Sequence, residues 1–218
     1  MKTLDIKIAS DISCPWCIIG YKALQQALEN LKDSVSADIS WLPFELNPDM
    51  APEGQDIGEH IQEKYGATPE QSAGNRERIK QMGADLGFTF NRGARIYNTF
   101  DAHRLLHWAK TQSKQTELKL ALFDMYFTGG GNPSDKDQII ATAVKVGLDQ
   151  EQARAVLESD QYGNDVRALE QQNHQNGINA VPAFIINGKY MINGGQPVES
   201  FEKALIKISA EINDTAQA

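Results

Sequence analysis

The stretch Ser10-Asp11-Ile12-Ser13-Cys14-Pro15-Trp16-Cys17 decides how the chain reads, because it joins a strand pattern to a helix pattern and holds both cysteines of the 218 residues. Upstream, Leu4, Ile6 and Ile8 alternate with Thr3, Asp5 and Lys7, the period of a half-buried strand. Downstream, Tyr21, Leu24, Leu28 and Leu31 fall on one helical face. Ser13 suits the N-cap, and Pro15 suits the first turn, where its missing N–H has no partner to lose. Cys14 is therefore expected at the opening of a helix.

Unpaired amides and the positive end of the helix dipole favour an anion there, so the expectation is a Cys14 thiolate of lowered pKa. Cys17 lies one turn deeper, placed to attack a mixed disulfide formed at Cys14 and release the partner. A disulfide staple is the alternative, but a loop with two intervening residues restrains the unfolded chain very little. Zinc would need further ligands, and no second cysteine pair exists. His103 and His107 have the i, i+4 spacing of a helical metal site. Their distance from the dithiol and the flanking Ala102, Leu105, Leu106 and Ala109 favour a surface or boundary role. No metal is expected.

With 41% hydrophobic residues the chain can build a real core without staples, as one large domain or two modest ones. The formal net charge of -8 arises from both signs spread along the sequence, without a basic cluster, which argues against nucleic acid. Met1-Lys2-Thr3 runs into the first strand with no apolar stretch of signal-peptide length, and no apolar run is long enough to span a membrane. The expected setting is the cytoplasm. A CxxC in a reducing compartment is more often catalytic or redox-sensing than structural.

Asp38 through Phe44 reads as a second strand, ending or reaching an edge at Pro43. Residues from about Asp56 to about Asp160 have helical character: Pro69 opens a charged helix ending near Gly87, and Asn98 caps the helix carrying His103 and His107. Leu118, Ala121, Leu122 and Met125 mark an apolar stripe that Gly129-Gly130-Gly131 stops. Ser134 with Asp137 resembles a capping box, Gly147 ends that helix, and Asp149 caps the next. A polar helix with Val166 and Leu169 runs toward Gly177. Ala183–Ile186, Asn187-Gly188 and Lys189–Ile192 form a hairpin signal. Pro197 then opens a last helix, with fraying expected after Ile212.

Strand, helix, strand, a long helical insertion, then helix, hairpin and helix is the order of an α/β thioredoxin-like fold interrupted after its second strand. Ser10–Cys17, Asn98-Thr99-Phe100-Asp101-Ala102-His103-Arg104 and Gly177-Ile178-Asn179-Ala180-Val181-Pro182-Ala183-Phe184 give the chain its resemblance to the DsbA family of thiol-disulfide oxidoreductases. Within that family it resembles the cytoplasmic FrnE-like members, neighbours of 2-hydroxychromene-2-carboxylate isomerases and kappa-class glutathione transferases. The division expected is a thioredoxin-like domain of residues 1–52 and 163–218 around a helical insertion of 53–162. The resemblance implies a cis peptide at Val181-Pro182 packed beside the dithiol, leaving the Val181 backbone to pair with an extended peptide or glutathione. Ala180 stands where relatives usually have Gly.

Asp11, and more weakly Glu45, is a candidate to tune the dithiol or accept the Cys17 proton; for Asp11 a capping or turn role is equally open. Trp16 is expected to wall the mouth of the site, and Gly195 and Gln196, with Val181, are candidate contacts for glutathione or peptide. Pro-Trp between the cysteines lacks the ionisable histidine of the strongly oxidising periplasmic relatives, which implies a less oxidising couple.

The resulting expectation is a cytoplasmic thiol-disulfide oxidoreductase using a Cys14–Cys17 redox pair and no other cofactor, with protein thiols or glutathione as partners, as monomer or homodimer. Two alternatives remain: a glutathione-dependent isomerase or transferase acting on a small aromatic metabolite, although such relatives carry Ser in place of Cys14, and a non-catalytic holdase using the helical insertion.

Overall fold

Leu4, Ile6 and Ile8 are completely buried while Thr3, Asp5 and Lys7 face out, so β1 (Thr3–Ser10) is a strand with one covered face. The computed structural model describes residues 3–91 and 95–215, with side chains through 211. Met1 and Lys2, read as leading into the first strand, lie outside the described residues. Each of the three buried side chains contributes roughly 2 kcal/mol through removal from water. What covers them is α1 (Pro15–Asn30), which buries Ile18, Tyr21, Leu24 and Ala27. Next, β2 (Ser36–Pro43) runs parallel to β1 from the Thr3–Ser36 pair to the Ser10–Pro43 pair. It starts two residues before the expected Asp38. As an edge strand it tolerates Pro43, whose missing N–H leaves no ladder bond unmade.

The chain then leaves the sheet through β3 (Gln55–Asp56), α2 (Ile57–Tyr65), α3 (Pro69–Asp85), β4 (Arg95–Ile96), α4 (Phe100–Thr111), α5 (Gln115–Phe123), a π-helical turn at Asp124–Thr128, α6 (Lys136–Lys145) and α7 (Gln150–Glu158). Thr68 and Gln71 close a capping box ahead of Pro69. Thr99, not Asn98, is the N-cap residue of α4, yet the Asn98 side chain still accepts the Phe100 amide at 2.9 Å. Asp135 caps α6 by accepting the Gln138 amide; Ser134 instead donates to the carbonyl of Asn98. The antiparallel β3–β4 pair was not foreseen, because two residues are too short to display a period.

The chain returns through α8 (Gly163–Gln175), β5 (Ala183–Ile186), β6 (Tyr190–Asn193) and α9 (Val198–Thr215), giving a sheet of order β2-β1-β5-β6. β5 pairs antiparallel with both β1 and β6. Asn187 and Gly188 both take positive φ, as a two-residue turn matched to strand twist requires. The last helix continues to Thr215, beyond the fraying expected after Ile212.

Two large apolar clusters result. One joins β1 and α1 to Phe184, Phe201, Leu205 and Ile208, and also takes Phe88, Phe90 and Phe123 from the helical segment. The other fills the helical segment with Leu105, Leu106, Leu118, Leu122, Ile139, Val156 and Leu157, and takes Ile12 from the loop after β1. Each cluster thus draws side chains from the other side of the β2–β3 connection. Among the described residues no helix is long and apolar enough to cross a membrane.

Candidate active site

Pro15 takes the first position of α1, so the helix begins there and Cys14 becomes its N-cap, in extended conformation and without a side-chain cap. Ser13, expected in that role, donates its hydroxyl to Asp11 at 2.8 Å instead. Cys14 and Cys17 are both free thiols and both buried, at 3% and 0% exposure. The Cys14 sulfur lies 3.8 Å from the carbonyl oxygen of Val181, within reach of a weak S–H contact. The Val181–Pro182 peptide is cis.

Two glycines bring the walls together. A β-carbon on Gly20 would stand 3.0 Å from the Gly195 Cα and 3.3 Å from the Pro182 ring; one on Gly195 would stand 3.1 Å from the Trp16 carbonyl oxygen. The loop after β6 and the Pro182 ring therefore touch α1 one turn beyond the dithiol, a fit available only to residues without side chains. Gly195 is thus at the site. Gln196 is turned onto its own loop, its side chain donating to Asn193 at 2.7 Å.

Burial pushes the Cys14 thiol well above its ordinary range; the adjoining Cys17 and the Asp11 charge add to the rise, and the Cys17 amide only partly opposes it. This corrects the expectation of a lowered pKa. The helix terminus is present, but in this closed arrangement loss of solvation outweighs it.

Asp11 sits at the floor. Its carboxylate accepts from the Ser13 hydroxyl, the Leu46 amide and the Thr99 hydroxyl, each at 2.8 Å, and from the Ser13 amide at 3.4 Å. His103 Nε2 stands 3.5 Å away. Burial alone would raise this carboxyl; His103, the Leu46 amide and the Lys119 charge outweigh it and hold it down at about 2. Such a group stays ionised and is a poor proton acceptor for Cys17. Of its two readings, the turn role is the one the geometry supports. Glu45 turns away to pair with Arg167, which also binds Glu170 at 2.8 Å. Burial, then Glu170, raises Glu45 to about 7 against the pull of Arg167.

His103 is buried against Asp11, whereas His107 packs its ring on Tyr162 at 5.1 Å, so the two histidines serve different neighbours. The surface reading therefore fails for His103. Among the described residues no group of three or more His, Cys, Asp or Glu could hold a metal ion.

The residue that sequence reasoning missed is Lys119. It is 1% exposed, donates to the Ser10 carbonyl at 3.2 Å, and lies over the Trp41 and Phe123 rings at 5.4 and 5.0 Å. Burial brings its ammonium down to about 8, while Cys17, Asp11 and Cys14, within its field, work to hold it charged. A lone lysine inside Leu118-Lys119-Leu120-Ala121-Leu122-Phe123 was the available signal. A cavity of about 60 Å³ borders Lys119 and His103 on the side lined by Trp41, Leu106 and Gln115.

At the mouth, Trp16 is half-buried, and the Arg78 guanidinium of α3 lies over it, 5.1 Å from the ring centre. Tyr65, at the end of α2, is 62% exposed, and after burial it is the Cys14 charge that raises its hydroxyl. Both insertion helices therefore reach the rim of the dithiol.

A model of the DSBA-like thioredoxin domain matches residues 5–206. The chain is 30% identical over 204 residues to the uncharacterised protein YwbO of Bacillus subtilis, covering 93% of this chain and 96% of that one. A probable DsbA oxidoreductase from Streptomyces coelicolor has a similar solved structure, with 33% identity, TM-score 0.87 and coverage of 94% and 89%. The cytosolic disulfide reductase DsbM of Pseudomonas aeruginosa, solved with glutathione, shares the fold at 14% identity, with TM-score 0.61 and coverage of 98% and 100%.

Proposed function

Since the chain belongs to the DSBA-like thioredoxin-domain family, we propose that it is a thiol–disulfide oxidoreductase of the cytoplasm, exchanging disulfides with protein or low-molecular-weight thiols through Cys14 and Cys17. The observation that carries this is the contact between the Cys14 sulfur and the Val181 carbonyl, at a helix opening with Cys17 one turn on. Val181 then offers its main chain to an extended substrate, as in strand addition, and brings the substrate disulfide to the sulfur it covers.

In the reducing direction Cys14 loses its proton and attacks one sulfur of the substrate disulfide; the other sulfur leaves as a thiolate and takes up a proton. Cys17 then loses its proton and attacks the Cys14 sulfur, forming the Cys14–Cys17 bond and releasing the second thiol. Two electrons pass from the dithiol to the substrate, and two cellular thiols, or one dithiol, return them while becoming a disulfide. The Cys17 proton passes to solvent, and the Lys119 ammonium, brought down to about 8 by burial and lying in the field of Cys17, supplies the counter-charge to the thiolate that forms; Asp11, held near 2, is already ionised and takes no proton near neutral pH.

Single cysteine variants test the assignment in an insulin-reduction assay with mass analysis of adducts. Cys14→Ser is expected to abolish turnover, and Cys17→Ser to accumulate mixed disulfides at Cys14. Full turnover in Cys14→Ser would remove the proposal.

A further inference from the structure

The geometry points to Arg78 as the residue that makes the site prefer disulfides carrying carboxylates near the sulfur, glutathione disulfide among them, over neutral ones. This rests on the exchange reading above and names its substrate class. Three observations lead to it. Arg78 is exposed, and its guanidinium lies over the ring of Trp16, the residue between Pro15 and Cys17, so its charge is placed at the dithiol turn. None of its donors is engaged: among the described residues no hydrogen bond or ion pair involves Arg78, although its fork is shaped for a carboxylate. A second cation repeats the arrangement on the other aromatic residue of the rim, where Lys64 Nζ lies 5.8 Å from the centre of the Tyr65 ring.

The setting makes these charges informative. The whole chain carries -8, a background that disfavours the approach of an anion. Lys64 spends two of its three donors on the Leu46 carbonyl and the Asn47 side chain, at 2.7 and 2.6 Å, whereas none of the donors of Arg78 is committed among the described residues. A tripeptide thiol whose sulfur meets Cys14 and whose main chain follows Val181 carries its terminal carboxylate on the next residue, roughly 4 Å along the chain from the cysteine. The Arg78 guanidinium is held on the side chain of Trp16, the residue between Pro15 and Cys17, so it lies on the same turn as the reacting sulfurs. Stacking also removes rotamer freedom before the ligand arrives, so less is lost on binding.

The test is single-turnover oxidation of the reduced full-length protein by glutathione disulfide and, separately, by bis(2-hydroxyethyl) disulfide, each followed by released thiol. The quantity read is the ratio of the two second-order rate constants, normalised to the ratio for free dithiothreitol. Arg78→Gln is expected to lower that ratio about fivefold, the scale of one exposed charge contact. Arg78→Lys, which keeps the charge, is expected to keep most of it. Raising salt should compress the wild-type ratio toward that of Arg78→Gln. Because both rates come from the same preparation, partial misfolding cancels. A ratio unchanged in Arg78→Gln overturns the inference while leaving disulfide exchange intact; a wild type that reacts with neither disulfide overturns the exchange reading itself.

Discussion

Lys119 contributes an ammonium to a region otherwise built from Trp41, Phe123 and the two sulfurs, with one carbonyl as its hydrogen-bond acceptor. A cation so placed is retained at a cost in solvation, and what it faces is the dithiol and Asp11. Lys119→Met keeps the volume and removes the charge. Resolution of a preformed Cys14 mixed disulfide by Cys17 is expected to run about tenfold slower at pH 7 and to recover as pH rises, since the attacking thiolate loses its counter-charge. Stopped-flow pH profiles of the two proteins check this; superimposable profiles would leave Lys119 without a part in the chemistry. Asp11, by contrast, is legible as important from its position yet not in its role. A residue three before Cys14 could serve as base or as turn, and only the four hydrogen bonds from Ser13, Leu46 and Thr99 decide between them.

Between elements, the contact that matters most is that of α1 with the loop after β6. Gly20→Ala puts a methyl 3.0 Å from Gly195 Cα and from Phe184, and 3.3 Å from Pro182. Backbone cannot yield as a flexible side chain does, so the substitution is expected to cost about 1–3 kcal/mol in urea unfolding. It should also slow insulin reduction, because the Pro182 wall is displaced from the dithiol turn. Near-wild-type stability and rate would show that this seam has slack. The elements themselves were largely readable: alternation found β1, Pro69 found the start of α3, Asp149 the cap of α7, and Asn187-Gly188 the hairpin. What escaped was set by distant parts of the chain. No local pattern announces that Arg78 will lie on Trp16, that His103 will be enclosed beside Asp11, or that closure will desolvate Cys14.

For the whole molecule, two buried carboxyls give stability opposite pH slopes. Asp11 is held at about 2, below its ordinary 3.8, so the folded state binds fewer protons than the unfolded one between those values. Its contribution, about 2 kcal/mol, is complete above pH 4 and is lost as pH falls through 2. Glu45 is raised from 4.5 to about 7, so there the folded state binds more protons, and stability falls as pH rises across that window. Urea midpoints between pH 4.5 and 7.5 are therefore expected to decline in the wild type, and Glu45→Gln should flatten the decline. An equal slope in both proteins would assign it to other groups.

The anchoring of the insertion is uneven. Asp11 fastens β1, the stretch after β2 and the start of α4 to one another, so that side of the molecule yields only by stripping a buried carboxylate of its donors. On the opposite side α2 buries only His60, and α3 only Ser72 and Gly83. Tyr65 and Arg78 ride on these lightly buried helices, α3 resting on the core through the half-buried Ile79 and Met82 rather than through enclosed side chains. Under the exchange proposed above, a rim held this lightly is the part expected to adapt to disulfides of different bulk, while the Asp11 anchor keeps the dithiol turn in place.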